Sequence, residues 1–98
     1  MEKLHLHYPA GAPAAQAVLV GVVASGDLEV LIAPAAAGSC HIVIHSAADG
    51  SAARWRAQLD RLFADGQAAA MQMEINDFGA TPGVVSLRLA QALEELSA

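Results

Sequence analysis

The segment that decides the fold is Gln-Ala-Val-Leu-Val-Gly-Val-Val-Ala-Ser-Gly-Asp-Leu-Glu-Val-Leu-Ile, residues 16–32. Residues 16–23 are almost continuously apolar, which predicts a β-strand buried on both faces. Residues 28–32 form a second run of aliphatic side chains. A short cluster containing Ser, Gly and Asp separates the two runs, and this pattern is typical of a β-hairpin.

Three further strands are predicted on either side of this hairpin. Residues 3–8 and 71–76 alternate between apolar and polar side chains, and His-Ile-Val-Ile-His at 41–45 is a third such run. Alternation with a period of two is the pattern of a strand with one buried face. Residues 34–38, rich in Ala and Gly, are predicted to be a loop.

Two helices are predicted from apolar positions with helical spacing. Within 51–65, an apolar face is formed by Trp55, Leu59, Leu62 and Phe63, and Ser51 or Asp49 is expected to cap its start. Within 82–96 the apolar stripe contains Val85, Leu89, Ala92, Leu93 and Leu96. Thr81 followed by Pro82 is a strong signal for a helix start, since Thr caps and Pro is tolerated in the first turn.

This order of elements predicts an α+β fold. We expect one domain over residues 1–98, built as a two-layer sandwich in which a mixed sheet of about five strands carries two helices on one face. The rules that govern connections between strands reduce the number of topologies but leave the strand order open.

Composition and charge narrow the classes of function. Ten acidic and five basic residues give a net charge of −5, which argues against a nucleic-acid partner because such partners require a basic surface. The longest apolar run is too short to span a bilayer. A single cysteine, Cys40, cannot form an internal disulfide, which favours a reducing compartment. We therefore expect a cytoplasmic protein without nucleic-acid or membrane partners.

The predicted hairpin turn contains Ser25, Gly26 and Asp27. Gly26 accepts a backbone conformation that a Cβ would penalise, and Asp27 can bond to the turn backbone. Such a turn places the Ser25 hydroxyl at an exposed tip. The same three residue types also occur in ordinary turns, so the turn alone does not assign a function to Ser25.

A resemblance to a known family adds a function to this turn. Residues 21–30 (Gly-Val-Val-Ala-Ser-Gly-Asp-Leu-Glu-Val) and 77–84 (Asp-Phe-Gly-Ala-Thr-Pro-Gly-Val) resemble the acyl carrier (delta) subunit of malonate decarboxylase. The similarity covers most of the chain, including the helix with Trp55 and the Leu-Arg-Leu-Ala-Gln-Ala-Leu-Glu-Glu segment at 87–95. The resemblance implies that Ser25 carries a covalent 2'-(5''-phosphoribosyl)-3'-dephospho-CoA group, with Gly26 and Asp27 supporting the turn.

The role that the resemblance implies is that of a non-catalytic carrier. The group on Ser25 would hold acetyl or malonyl as a thioester while malonate is converted to acetate and CO2. The expected partners are the acyl transferase and decarboxylase subunits of malonate decarboxylase and the transferase that attaches the prosthetic group. The chain itself would contribute no catalytic residue, only proximity.

The second motif offers an expected contact for the prosthetic group. Asp77-Phe78-Gly79 is interpreted as a strand end that turns into the helix capped by Thr81. Backbone amides at a helix start favour anions. If the Ser25 turn lies nearby, we expect Gly79, Thr81 and Gly83 to contact a phosphate of the prosthetic group or a partner.

Three other interpretations stay open at this stage. A citrate-lyase carrier has a similar role and prosthetic group, and an interaction or scaffold subunit would leave Ser25 unmodified. A metal-dependent enzyme would use two pairs of histidines, His5 with His7 and His41 with His45. Metal sites need a third or fourth ligand, so we expect no metal and interpret these histidines as exposed strand residues.

Overall fold

The computed structural model describes residues 2–47 and 49–96. The element order is the predicted one. The elements are β1 (Glu2–Pro9), β2 (Val18–Gly21), β3 (Leu28–Pro34), β4 (Ser39–Ser46), α1 (Ala52–Leu62), β5 (Met71–Asp77) and α2 (Pro82–Leu96). The α+β prediction and the number of strands and helices are therefore confirmed.

The five strands form one mixed sheet in the order β1-β4-β5-β3-β2. Strands β4 and β5 are parallel, whereas the other neighbours are antiparallel. The connection between β4 and β5 contains α1, as a parallel pair requires a crossover. The predicted hairpin is formed by β2 and β3, with Val18 opposite Ile32 and Gly21 opposite Glu29.

Both helices cover the same face of the sheet. Helix α1 contributes Trp55 and Leu59 to the core, and α2 contributes Val85, Leu89 and Ala92. These side chains belong to one apolar cluster with the inward-facing residues of every strand. Gln58 of α1 also donates a hydrogen bond to the Ser86 hydroxyl of α2 (2.9 Å). The two-layer arrangement predicted from the sequence is confirmed.

Strand β2 differs from its prediction. The apolar run at 16–23 predicts a long strand buried on both faces, but the strand covers only Val18–Gly21 and alternates between buried and exposed side chains. Leu19 is 62% exposed. The reason is that β2 is an edge strand and the sheet face opposite the helices is uncovered. Val22 and Val23 leave the strand and enter the loop that follows it.

The start of α1 also differs in detail from the prediction. Ser51 occupies the N-cap position, but its side chain makes no capping hydrogen bond. Its hydroxyl donates instead to Glu2 Oε1 (3.1 Å), and the Gly50 amide donates to Glu2 Oε2 (3.1 Å). These contacts hold the pKa of Glu2 below its usual value, chiefly through the Gly50 amide. The loop before α1 is thereby tied to the first strand.

Candidate functional site

Ser25 lies at the tip of the connection between β2 and β3, as predicted. The residue is exposed and lies in a turn. Within the described part of the chain, its hydroxyl forms no hydrogen bond with another residue. Gly26 has a positive φ of 81°, and a Cβ built at this position would meet no atom within 4 Å. The tip is therefore open to solvent and free of bulky neighbours.

The Ser25 loop (residues 22–27) is held by the loop that follows β5. The Gly26 amide donates a hydrogen bond to the Phe78 carbonyl oxygen (2.8 Å), and the Phe78 amide donates to the Asp27 carbonyl oxygen (3.0 Å). A Cβ built on Gly79 would lie 4.0 Å from the Gly26 nitrogen. The two sequence motifs, which are about fifty residues apart, thus form one site.

The buried Asp77 side chain organises the loop after β5. Its Oδ1 accepts hydrogen bonds from the amides of Gly79 (3.0 Å) and Ala80 (2.9 Å). Its Oδ2 accepts a hydrogen bond from the Ser46 hydroxyl (3.0 Å) on the parallel neighbour strand. A carboxylate that receives backbone amides in this way stabilises a tight turn. The interpretation of Asp77-Phe78-Gly79 as a structural strand end agrees with these contacts.

Asp27 forms a bidentate ion pair with Arg88 of α2. Arg88 Nε lies 3.0 Å from Asp27 Oδ1, and Arg88 Nη2 lies 2.7 Å from Asp27 Oδ2. The Leu28 amide also donates to Asp27 Oδ1 (2.7 Å). The Arg88 hydrogen bonds, followed by the Leu28 amide, hold the pKa of Asp27 below its usual value. Asp27 thus bonds the backbone of its own turn and also reaches a partner 61 residues further along the chain.

Arg88 was not among the residues singled out from the sequence. Its position provided one usable signal, because it borders the buried stripe formed by Val85, Leu89 and Ala92. A cation next to an apolar stripe requires a polar partner when it is partly buried. That signal does not identify the partner, because Asp27 approaches Arg88 only in the folded chain.

Of the three residues expected to contact a phosphate, Gly79 adjoins the Ser25 loop. Thr81 caps α2 as predicted, since its Oγ1 accepts a hydrogen bond from the Val84 amide (3.3 Å). Gly83 lies in the first turn of the same helix and is exposed. In the described residues no hydrogen bond joins Thr81 or Gly83 to the Ser25 loop.

The remaining residues with chemical potential lie away from this loop. His5 Nδ1 is 3.2 Å from His41 Nε2, and the rings of His7 and His41 are stacked with centroids 4.3 Å apart. His5 and His7 are exposed, while His41 and His45 are half-buried. The described residues contain no group of three or more His, Cys, Asp or Glu side chains suited to a metal ion.

Cys40 is fully buried on the helix-covered face. Removal from water disfavours the thiolate and raises the pKa of Cys40 to about 11. Such a thiol is a poor nucleophile and behaves as a small apolar side chain. Neither helix in the described part of the chain has the length and apolar character of a membrane-spanning helix.

The fold and the site define a small α+β protein that displays Ser25 on an open, well-anchored loop, with no base hydrogen-bonded to it among the described residues. The family model of the malonate decarboxylase delta subunit, an acyl carrier protein, matches residues 15–96. The chain therefore belongs to the malonate decarboxylase delta subunit family.

Individual relatives agree with this assignment over nearly the whole chain. The malonate decarboxylase acyl carrier protein of Azotobacter vinelandii is 54% identical over 97 residues, which cover 99% of this chain and 98% of the relative. That of Pseudomonas aeruginosa is 54% identical over 95 residues, covering 97% and 96%. A chain in the crystal structure of a Pseudomonas malonate decarboxylase hetero-tetramer in complex with malonate is 48% identical, with a TM-score of 0.94 and coverage of 98% and 99%.

Proposed function

We propose that this chain is the acyl carrier subunit of a malonate decarboxylase and that Ser25 is the attachment point of its prosthetic group. The observation that supports this most strongly is the geometry of the Ser25 loop. Ser25 is exposed and its hydroxyl has no hydrogen-bond partner among the described residues, while hydrogen bonds anchor its neighbours Gly26 and Asp27. A group attached there would move freely while its anchor stays fixed.

The residues around Ser25 fit 2'-(5''-phosphoribosyl)-3'-dephospho-CoA. Nothing lies within 4 Å of the position where Gly26 would carry a Cβ, which leaves room for a phosphodiester beside Ser25. When attached, the group supplies a thiol that carries acetyl or malonyl as a thioester. Gly79, Thr81 and Gly83 are proposed to contact one of its phosphates, because Gly79 adjoins the loop and amides at a helix start favour anions. The Gly79 amide already donates to Asp77 Oδ1, so the proposed donors are the amides of Thr81 and Gly83.

The contribution of the chain itself is proximity rather than chemical catalysis. A serine nucleophile needs an adjacent base, and no hydrogen-bonded base accompanies Ser25 within the described residues. A tethered acyl group reaches each partner at an effective concentration set by the length of the tether. The proposed partners are the acyl transferase and decarboxylase subunits, together with the transferase that attaches the group. The exposed Val22 (52%) and Val23 (65%) provide apolar contact area next to Ser25 for such partners.

The acyl-carrying role is tested by following labelled acyl groups in the assembled complex. Complexes containing the wild-type chain, Ser25→Ala or Ser39→Ala are incubated with labelled malonate, and the chain is then isolated. We expect label on the wild-type chain and on Ser39→Ala, released by hydroxylamine as a thioester would be, and no label on Ser25→Ala. Ser39 is a matched control because it is also exposed.

Cys40 does not contribute hydroxylamine-labile label to this measurement. Cys40 is buried and its pKa is raised to about 11, so it is not an acceptor for acyl groups in the folded chain. Hydroxylamine-labile label on Ser25→Ala would contradict the proposal.

A further inference from the structure

Arg88 supplies the positive charge that balances the Asp27 carboxylate of the Ser25 loop. Of the five basic residues in the sequence, Lys3 lies on β1, three arginines lie on α1, and only Arg88 lies on an element that holds the loop. Its guanidinium neutralises the Asp27 carboxylate through two parallel contacts of 3.0 and 2.7 Å. Both side chains keep 22% of their surface exposed, so the pair is partly shielded from solvent.

The Asp27 carboxylate lies two residues from the hydroxyl that is proposed to be modified. In that reaction the Ser25 oxygen forms a bond to the phosphorus of an activated phosphate ester, and the bond from phosphorus to the leaving polyphosphate breaks. The leaving group departs with the bonding electrons, and the hydroxyl proton passes to the transferase or to water. Both the incoming donor and the new phosphodiester are anions, so an unpaired carboxylate nearby would repel them.

We propose that Arg88 is a positioning residue for the modification of Ser25. It acts by neutralising the Asp27 carboxylate, so that an anionic donor can approach the Ser25 hydroxyl. The third guanidinium nitrogen, Nη1, is held by Gln91 Oε1 (3.2 Å), which fixes the orientation of the planar group. This inference rests on the proposed function and adds a residue to it.

Two single substitutions separate this electrostatic role from a purely structural one. Arg88→Gln and Asp27→Asn break the same ion pair, but they change the local charge in opposite directions. If the pair were only a structural link, both would slow the modification equally. If Arg88 acts by neutralising Asp27, Arg88→Gln slows it and Asp27→Asn slows it much less.

The measurement is the initial rate at which each folded chain gains the prosthetic group, using the cognate transferase, its donor and intact-protein mass spectrometry. We expect Arg88→Gln to lower kcat/KM by about tenfold at low ionic strength. The double variant Asp27→Asn with Arg88→Gln should recover most of that loss, because neither charge remains. Added salt should reduce the Arg88→Gln defect, since surface charges are screened over about 10 Å at 0.1 M.

Arg54→Gln is the matched control for the loss of one positive charge. Arg54 is exposed on α1, so this variant should be modified at the wild-type rate. Arg88→Lys keeps the charge but loses the bidentate geometry, and its rate should fall between those of wild type and Arg88→Gln. Arg88→Lys keeps both charges of the pair, so its comparison with Asp27→Asn remains available even if Arg88→Gln folds poorly.

Three results would overturn the inference. They are an Arg88→Gln rate equal to that of wild type, equal losses in Arg88→Gln and Asp27→Asn, and a double variant as slow as Arg88→Gln. In each of these cases the wild-type chain still gains the group, so the proposed function stands. A wild-type chain that gains nothing would instead contradict the proposed function.

Discussion

Gly21 ends strand β2 with a positive φ of 100°, and a Cβ built there would lie 2.0 Å from the Leu28 carbonyl oxygen. The same oxygen accepts a hydrogen bond from the Val22 amide (3.1 Å). The chain therefore approaches itself closely at the base of the Ser25 loop, and only glycine fits there. The sequence showed a glycine inside an apolar run, but the close contact that requires it is a property of the folded hairpin.

Replacement of three glycines by alanine tests this constraint. Gly21→Ala should lower the free energy of unfolding by about 2 kcal/mol or more, because the new Cβ has both an unfavourable φ and a backbone clash. Gly26→Ala, which has a positive φ but open space around it, should cost about 1 kcal/mol. Gly11→Ala, with neither problem, should change it by less than about 0.5 kcal/mol. Urea unfolding provides the values, and equal stabilities for the Gly21 and Gly11 variants would contradict the account.

At the scale of single elements, the sequence predicts α2 better than it predicts β2. Helix α2 covers Pro82–Leu96, as the Thr-Pro start signal and the apolar stripe indicated, because capping and helical periodicity are local properties. The extent and burial of β2 depend on what covers each face of the sheet, and a run of apolar residues does not contain that information. The Arg88 contact was missed for the same reason, since its partner Asp27 lies on another element.

A phosphate contact at the N-terminus of α2 is part of the proposed function. Thr81→Asp and Thr81→Asn have nearly the same shape and are both good N-caps, so the helix should keep its stability in each. The carboxylate of the Asp variant would compete with a phosphate for the helix amides. We expect Thr81→Asp to acquire the prosthetic group several-fold more slowly than Thr81→Asn, as measured by mass spectrometry over time. Equal rates would remove the phosphate contact from the account.

At the scale of the whole molecule, the fold brings together two motifs that are far apart in the sequence. The strand order β1-β4-β5-β3-β2 places β5 beside β3, so the loop after β5 supports the turn that precedes β3. Sequence patterns predicted each strand but not this order, because pairing between strands depends on non-local contacts. The expected phosphate contact was conditional on the Ser25 turn lying near residues 77–84. The hydrogen bonds of Phe78 with Gly26 and Asp27 fulfil that condition, and the phosphate contact itself stays a prediction.

The uncovered face of the sheet is separate from the Ser25 loop. Its outward side chains include Leu19, Leu31 and Val43 together with the histidine cluster. The core and the helices lie on the other face of the sheet. The Ser25 loop and the loop after β5 lie at the ends of their strands. The molecule thus combines a two-layer body with an open loop tip at Ser25, an arrangement that suits a tethered carrier.

The central claim is that Ser25 is the attachment point of the prosthetic group. The most direct test is the intact mass of the chain after it is produced together with the cognate transferase and the prosthetic-group precursor. We expect the wild-type chain and the Ser39→Ala control each to gain the mass of one prosthetic group, and Ser25→Ala to gain none. A wild-type chain of unchanged mass, or a Ser25→Ala chain that gains the group, would contradict it.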